Sequence, residues 1–446
     1  MEYHLSNFVY TLEQGGKYYV IQTFTKRLFE INKDIFAQLS QRNIDLTSWD
    51  SVTKAAFIEA QILTTKSEVE YLESLGKEKD IDSEWHTLHV IPTASCNFGC
   101  DYCFVLKDKS THSCDKIISD ETLYKGIDFF FKGNTSKQII VTFYGGEPLL
   151  APQVIYKTIN YISQNYTTDF VKKIVTNGTL VTPEIAQFLH IHGFDVSVSL
   201  DGNPQAHNKF RKYKNGGDTF DDVIKGIEIL RKYENSIKIL MTVGSFNVAD
   251  LTCHVKTLLN TRPTLIALNL PRALQDHSNG IEEELDIKEL IEQYIKCVEM
   301  CYEAEIPEGH MADIIFGFLR DEVQYHPCHG CGKQIALTPN GMIGPCQAYL
   351  GTLKNFRPLD NFKSISELRS DTIFNKWKNI SMFNCRKCRS CFLLPVCPGD
   401  CPYDWENRTG SLLEVPEGYC ITRKAMFDYM IRRIISGKSI MFRHSL

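Results

Sequence analysis

Thr93-Ala94-Ser95-Cys96-Asn97-Phe98-Gly99-Cys100-Asp101-Tyr102-Cys103-Phe104 is the stretch whose reading decides this chain, because three thiols fall within it at spacings of four and three residues. Three cysteines so close on a loop can grip three corners of one metal cluster and leave a fourth iron without a protein ligand. The alternatives are structural thiols, a disulfide pair, or a zinc knuckle that lacks a ligand unless a distant residue supplies it.

The rest of the composition bounds what such a loop can serve. With 446 residues the chain is too long for one hydrophobic core, and 43% hydrophobic and 23% charged residues make an ordinary globular mixture. A net charge of -5 gives no polycationic character, so neither nucleic acid nor an anionic membrane is expected as the main partner. The N-terminus shows no secretory pattern, and the apolar runs, such as Ile237 to Val243, break well before the length of a spanning helix. The chain therefore reads as cytoplasmic. In that compartment 16 cysteines point to metal or redox chemistry rather than to a disulfide framework.

Around the thiol stretch the pattern alternates between strand and helix. Strands are predicted at Leu88 to Ile91, Gln138 to Tyr144, Lys172 to Thr176, Asp195 to Leu200, Ile237 to Thr242 and Leu265 to Leu270. Helices between them start near Ser119, Pro152, Thr182, Thr219 and Asp250, several with a cap residue or a first-turn proline. Six such steps predict an α/β fold, a partial (β/α)6 barrel of the TIM kind. The unusual residues fall just past strand ends: the cysteine loop after the first, Gly145-Gly146-Glu147-Pro148 after the second, Asn177-Gly178 after the third and Ser199-Leu200-Asp201-Gly202 after the fourth. That rim is where barrel enzymes build their sites.

Cys96, Cys100 and Cys103 in a CxxxCxxC pattern, followed by Gly145-Gly146-Glu147, resemble the radical SAM superfamily. The resemblance implies a 4Fe-4S cluster on the three thiolates, with S-adenosylmethionine chelated at the open iron. It places Tyr102 near the adenine, Gly145 and Gly146 where backbone must approach the ligand, and Glu147 where a carboxylate can accept from its ammonium. Asn177, Ser199 and Arg211 are the further candidates on the rim. Ser199 and Arg211 would meet the methionine carboxylate, although Arg211 lies in the basic run 209–214, which otherwise reads as a solvated loop.

Nine cysteines crowd the C-terminal third: Cys328, Cys331, Cys346, Cys385, Cys388, Cys391, Cys397, Cys401 and Cys420. Their order is similar to that of the SPASM domain, a subgroup within the superfamily. By that similarity Cys328, Cys331, Cys346 and Cys401 would hold one auxiliary 4Fe-4S cluster, and Cys388, Cys391, Cys397 and Cys420 a second, making three clusters in all. Either Cys328 or Cys331 may be free in this scheme, Cys385 has no assigned place, and zinc on the CxxC pairs stays open. Cys114, Cys253, Cys297 and Cys301 are expected to pack in the core, since a buried free cysteine behaves as a small hydrophobe.

The first 80 residues read as a hairpin, Asn7 to Leu12 and Lys17 to Thr23, followed by three helices: one capped by Asn32, one over Val52 to Leu63, and one over Lys66 to Leu75 that Gly76 stops. This winged-helix-like order resembles the PqqD-like leader-recognition domain, in which a leader peptide adds a strand to the sheet edge. The expected organisation is thus 1–80 peptide recognition, 81–270 barrel, 271–327 a bridge with a helix over Ile287 to Glu303, 328–420 the SPASM domain, and 421–446 a closing helix.

Together the resemblances imply an oxidoreductase that matures a ribosomally made precursor peptide. It would abstract a hydrogen through the 5'-deoxyadenosyl radical and form a thioether or carbon-carbon crosslink, with a flavodoxin or ferredoxin as electron donor. A formylglycine-forming sulfatase maturase is the nearest alternative, and a non-catalytic metal-binding protein the alternative of another class. In sulfatase maturases the residue after the cysteine matching Cys346 is an aspartate thought to act as base. Here it is Gln347, which cannot take a proton at neutral pH, and no other residue stands out as a base.

Overall fold

The later barrel strands take their places by alternating a side chain for the core with one for the opposite face, while Thr87–Val90 is buried throughout. In Phe194–Ser199, for example, Phe194, Val196 and Val198 are buried while Asp195, Ser197 and Ser199 are half-buried. The structure, a computed structural model, describes residues 3–65, 67–81, 84–105, 116–270, 285–319 and 323–440. Cys114 and residues 271–284 of the expected bridge lie outside the described residues.

The N-terminal part holds strands β1 (His4–Leu5), β2 (Val9–Gln14), β3 (Lys17–Gln22), β4 (Arg27–Ile31) and β5 (Leu63–Thr64). The expected hairpin is present as β2 and β3, but β4 adds a third antiparallel strand on the far side of β3. Asn32 caps the helix Lys33–Gln41 by accepting from the Ile35 N–H at 2.8 Å, as its position predicts. The third helix, Glu68–Ile81, runs on through Gly76, which was expected to end it. One glycine weakens a helix by only about 1 kcal/mol, too little to stop it where neighbouring residues favour the helix.

Six parallel strands follow in the expected places: β6 (Thr87–Val90), β7 (Ile139–Phe143), β8 (Phe170–Thr176), β9 (Phe194–Ser199), β10 (Ser236–Thr242) and β11 (Leu265–Asn269). The sheet does not stop at β6. It continues through β12 (Gln334–Leu337), parallel to β6, then antiparallel β13 (Met342–Gly344) and β14 (Arg357–Pro358). The C-terminal cysteines are thus built onto the barrel's own sheet: Cys331 just precedes β12, and Cys346 just follows its hairpin partner β13. Register places His89, Thr142, Lys173 and Asp195 side by side in one row across β6 to β9, and Lys238 of β10 joins Asp195 in an ion pair at 2.9 Å.

Beyond the sheet, the expected helix Ile287–Glu303 is joined by Gly309–Leu319, and both pack on the long closing helix Glu417–Ile435. Cys297 and Cys301 are fully buried between these elements, whereas Cys253 is exposed and so does not belong to the core as expected. Its helix, Leu251–Asn260, buries Leu251, His254, Val255 and Leu258, and Cys253 falls off that stripe. The closing helix also holds the N-terminal sheet: the Tyr10 hydroxyl donates to Asp428 at 2.7 Å and Gln14 Nε2 donates to the Arg432 carbonyl at 3.2 Å. That covers the β2 side of the small sheet, while among the described residues β4 is paired only with β3. No helix among the described residues is long and apolar enough to cross a membrane.

Candidate active site

The cysteine loop is fixed by backbone before any ligand is considered. Gly99 N–H donates to the Lys212 carbonyl at 2.8 Å, Asp101 N–H to Phe210 at 3.1 Å, and Lys214 N–H to Asn97 at 3.1 Å. Phe98, 1% exposed, plugs the loop into the core. The basic run 209–214 is therefore a strap over the cysteine loop, which revises its reading as solvated. Burial and mutual repulsion push the Cys96 and Cys100 thiols up to about 12, opposed at Cys100 by the Arg211 guanidinium. Thiols become thiolates when a cationic metal group replaces their protons, so three cysteines on one backbone-fixed loop are donors of the right chemical type for a cluster.

The Gly145-Gly146-Glu147 turn sits directly on this loop. Gly146 N–H donates to the Thr93 carbonyl at 3.1 Å and Glu147 N–H to Ser95 at 2.9 Å. A Cβ on Gly146 would lie 2.1 Å from the Ser95 oxygen, and one on Gly145 2.6 Å from the Thr93 oxygen. The close approach these glycines permit is to the chain itself, a cause the sequence reading had assigned to the ligand.

Glu147 is buried at 1% exposure and ties two strand ends together. Its Oε1 accepts from Leu149 N–H at 2.9 Å and from the Thr176 hydroxyl at 2.7 Å, and its Oε2 accepts from Asn177 N–H at 2.7 Å. Burial raises the carboxyl to about 7 against these three donors. An ionised carboxylate has about four acceptor positions, so Oε2 keeps room for one further donor. Asn177 turns its Nδ2 to Asn97 Oδ1 at 2.8 Å and toward Cys96 Sγ at 3.8 Å. The structure thus brings Glu147 and Asn177 to the cysteine loop.

Arg211 and Tyr102 meet on a residue the sequence reading did not single out. Asp201, fully buried, accepts from Arg211 Nε at 2.9 Å, from the Tyr102 hydroxyl, and from Thr242 N–H at 2.9 Å. The guanidinium lies 5.2 Å from the Tyr102 ring centroid, and Phe246 is stacked parallel to Tyr102 with ring centroids 6.2 Å apart. Asp201 N–H in turn donates to His207 Nδ1 at 3.2 Å, and burial depresses that imidazole to about 4. The signal for Asp201 was its place in the fourth strand-end turn. Ser199 stands apart, half-buried at the end of β9 with no side-chain hydrogen bond to this group.

The C-terminal thiols form two sets. Cys328 and Cys331 lie 3.9 Å apart, and Cys346 adds to the repulsion that raises Cys331. Cys401 packs against the buried cluster that holds Cys331 and Cys346, as do Cys388 and Cys420. Cys388, Cys391, Cys397 and Cys420 wall a single cavity of about 310 Å³. Cys385 does not line it: buried behind Cys388, it accepts from that thiol and from backbone N–H groups, which pull it down to about 5. Among the described residues no three His, Cys, Asp or Glu side chains are placed to hold one metal ion.

Comparison with known families adds that residues 90–258 match the model of the radical SAM superfamily. That segment belongs to the radical SAM superfamily. The matched segment contains the cysteine loop, the Glu147 turn, Asp201, Arg211 and Phe246, so the group of residues described above is the superfamily's own region. Membership implies S-adenosylmethionine and a 4Fe-4S cluster, and makes the chain a radical SAM enzyme. Among relatives, the radical SAM cyclopropyl synthase TigE of Paramaledivibacter caminithermalis is 24% identical over 80% of this chain and 76% of its own length. A serine-type anaerobic sulfatase-maturating enzyme of Bacteroides thetaiotaomicron is 25% identical over 71% of this chain and 82% of its own. Among solved structures, Streptococcus suis SuiB bound to precursor peptide SuiA shares the fold at a TM-score of 0.57 and 14% identity, covering 93% of this chain and 98% of SuiB.

Proposed function

We propose that this radical SAM enzyme modifies a ribosomally made precursor peptide, forming a thioether or carbon-carbon crosslink. Its N-terminal unit, residues 1–80, is read as PqqD-like, residues 81–270 as the barrel, 271–327 as the bridge, 328–420 as a SPASM domain and 421–446 as the closing segment. The two C-terminal thiol sets are read as ligands of two auxiliary 4Fe-4S clusters. The reading takes the enzyme to be cytoplasmic and served by a flavodoxin or ferredoxin.

One observation carries it: the chain joins a three-stranded sheet, whose β4 edge pairs with no further strand among the described residues, to a second array of thiols, four of which wall one cavity. An unpaired edge is a template for an extended peptide, whose main chain supplies the missing hydrogen bonds. The likeness in fold to SuiB, described as bound to a precursor peptide, points the same way.

When bound, the first cluster supplies an electron that cleaves S-adenosylmethionine into methionine and a hydrogen-abstracting radical. The chain's part is to hold and exclude. Cys96, Cys100 and Cys103 would bind that cluster, and the 209–214 strap keeps their loop in place. Glu147, with one acceptor position on Oε2, suits the substrate ammonium, while Arg211, held by Asp201, is the cation beside it. Tyr102, beside Arg211 and Phe246, offers an aromatic wall for the adenine.

The formylglycine alternative has the sulfatase-maturase relatives in its favour. Against it, Gln347 stands where those enzymes have an aspartate, and its Oε1 is taken by Gln334 Nε2 at 2.8 Å, so it offers a donor rather than a base. Co-expression with small open reading frames beside the gene, followed by mass spectrometry of the peptide, separates the two. Loss of two hydrogens without gain of oxygen is expected. Conversion of a sulfatase peptide to the aldehyde would replace this reading with the alternative.

A further inference from the structure

The helix Glu417–Ile435 carries Cys420 and, three residues on, Arg423, which helical geometry sets on the same face. Both line the cavity walled by Cys388, Cys391 and Cys397. Arg423 also lines a second, smaller cavity of about 60 Å³ at the C-terminal ends of β10 and β11, with Val243, Asn269 and His310. Asp400 and Tyr419 are the other residues common to both cavities, so these three side chains form a shared wall between the strand-end rim and the thiols.

The charge on this wall is matched by protein only at a distance, by Asp400 at 3.4 Å and by the Asp313 carboxyl beyond it. Arg423 is 9% exposed, yet its side chain makes two long hydrogen bonds, Nη1 to the His310 carbonyl at 3.5 Å and Nη2 to Asp400 Oδ2 at 3.4 Å. A guanidinium has five N–H donors, and a buried cation held this loosely costs stability unless further negative charge lies near it. Four cysteine thiolates around an iron-sulfur core provide that charge. The other cations of the cavity cannot substitute for Arg423. Lys387 is exposed and already paired with Glu417 at 2.9 Å, and Lys424 is exposed, so water screens both.

We propose that Arg423 raises the reduction potential of the cluster held by Cys388, Cys391, Cys397 and Cys420. This rests on the reading that these four thiols hold a 4Fe-4S cluster. Taking up one electron adds one negative charge to a site already anionic, and a buried cation in its wall favours that form, since net charge and neighbouring hydrogen bonds set such potentials. Asp400 opposes Arg423 from the same wall, so removing either charge shifts the potential in opposite directions.

The test is a redox titration of the full-length, anaerobically reconstituted protein with dithionite and mediators, followed by electron paramagnetic resonance. Iron is counted first in wild type and in Cys397→Ala. If the two contain equal iron, the four-thiol cluster reading fails, independently of Arg423. With that cluster present, Arg423→Gln is expected to move the midpoint of one cluster to more negative potential and leave the others unchanged. Arg423→Lys should recover most of the shift, and Asp400→Asn should move the same midpoint the other way. A fully loaded Arg423→Gln protein with the wild-type midpoint overturns the proposal. If Arg423→Gln does not load, Asp400→Asn decides, and an unchanged midpoint there overturns it as well.

Discussion

Asp201 and Arg211 form a buried ion pair, Oδ2 to Nε at 2.9 Å, that joins the end of the fourth barrel strand to the strap across the cysteine loop. Because Asp201 is fully buried and also receives Tyr102, the pair orders two of the residues expected to meet the cofactor. Replacing Asp201→Asn keeps the shape but leaves the guanidinium without its counter-charge. We expect a loss of about 3 to 5 kcal/mol in stability, the range for breaking one side of a buried pair, measured by anaerobic urea unfolding. Cleavage of S-adenosylmethionine should fall at least about tenfold, the effect of about 1.4 kcal/mol in a rate.

Gly146→Ala should act on the metal rather than on the fold as a whole. Its Cβ would lie 2.1 Å from the Ser95 carbonyl oxygen, so the segment leading into Cys96 must move. Iron analysis after reconstitution is expected to fall by about four per chain, the content of one 4Fe-4S cluster, while far-ultraviolet circular dichroism stays unchanged.

Cys385 and Cys397 should respond differently to the same substitution. Cys397 lines the four-thiol cavity and Cys385 does not. Cys397→Ala should lose about four irons and Cys385→Ala none. Equal losses in both would place Cys385 among the ligands.

Acid should weaken the protein through its buried histidines, a loss that Glu147, raised to about 7 and so protonated first in the folded chain, offsets in part. Burial lowers both His89 and His207 to about 4, from 6.5. Between those values the unfolded chain binds protons that the folded chain refuses, so stability is complete above about pH 6.5 and falls as pH drops toward 4. Each histidine contributes up to about 3 kcal/mol of that loss. Urea midpoints measured from pH 7.5 to 4.5 should decline, and His207→Gln should flatten the decline.

The six barrel strands were legible because their apolar residues recur with strand periodicity between strong helix starts such as Ser119 and Thr182. The cysteine loop and Glu147 were legible from type and spacing. What was not legible depends on pairing across long sequence distances. β4 carries Arg27-Leu28-Phe29-Glu30-Ile31, a short mixed segment that becomes a strand only because β3 is there to pair with it. The extension of the sheet through β12 to β14 rests on Ile335 and Ala336 meeting Leu88 and His89, which no local pattern reports. Arg211 was named as a partner of the methionine carboxylate, but its lysine-rich run otherwise read as a solvated loop, and its partner Asp201 lies across a turn of helix, Pro204–Phe210, that the sequence reading did not place.

The strap across the cysteine loop has a consequence in time. Cys96, Cys100 and Cys103 leave the ribosome long before Phe210, Lys212 and Lys214, whose backbone holds their loop. Cys420, on the last helix, follows still later. A nascent chain therefore presents these three thiols unclamped until residue 214 has been made, and iron delivered before then meets a loop without its strap. Metal insertion belongs after release, and slow delivery would leave a folded, empty barrel able to wait for it.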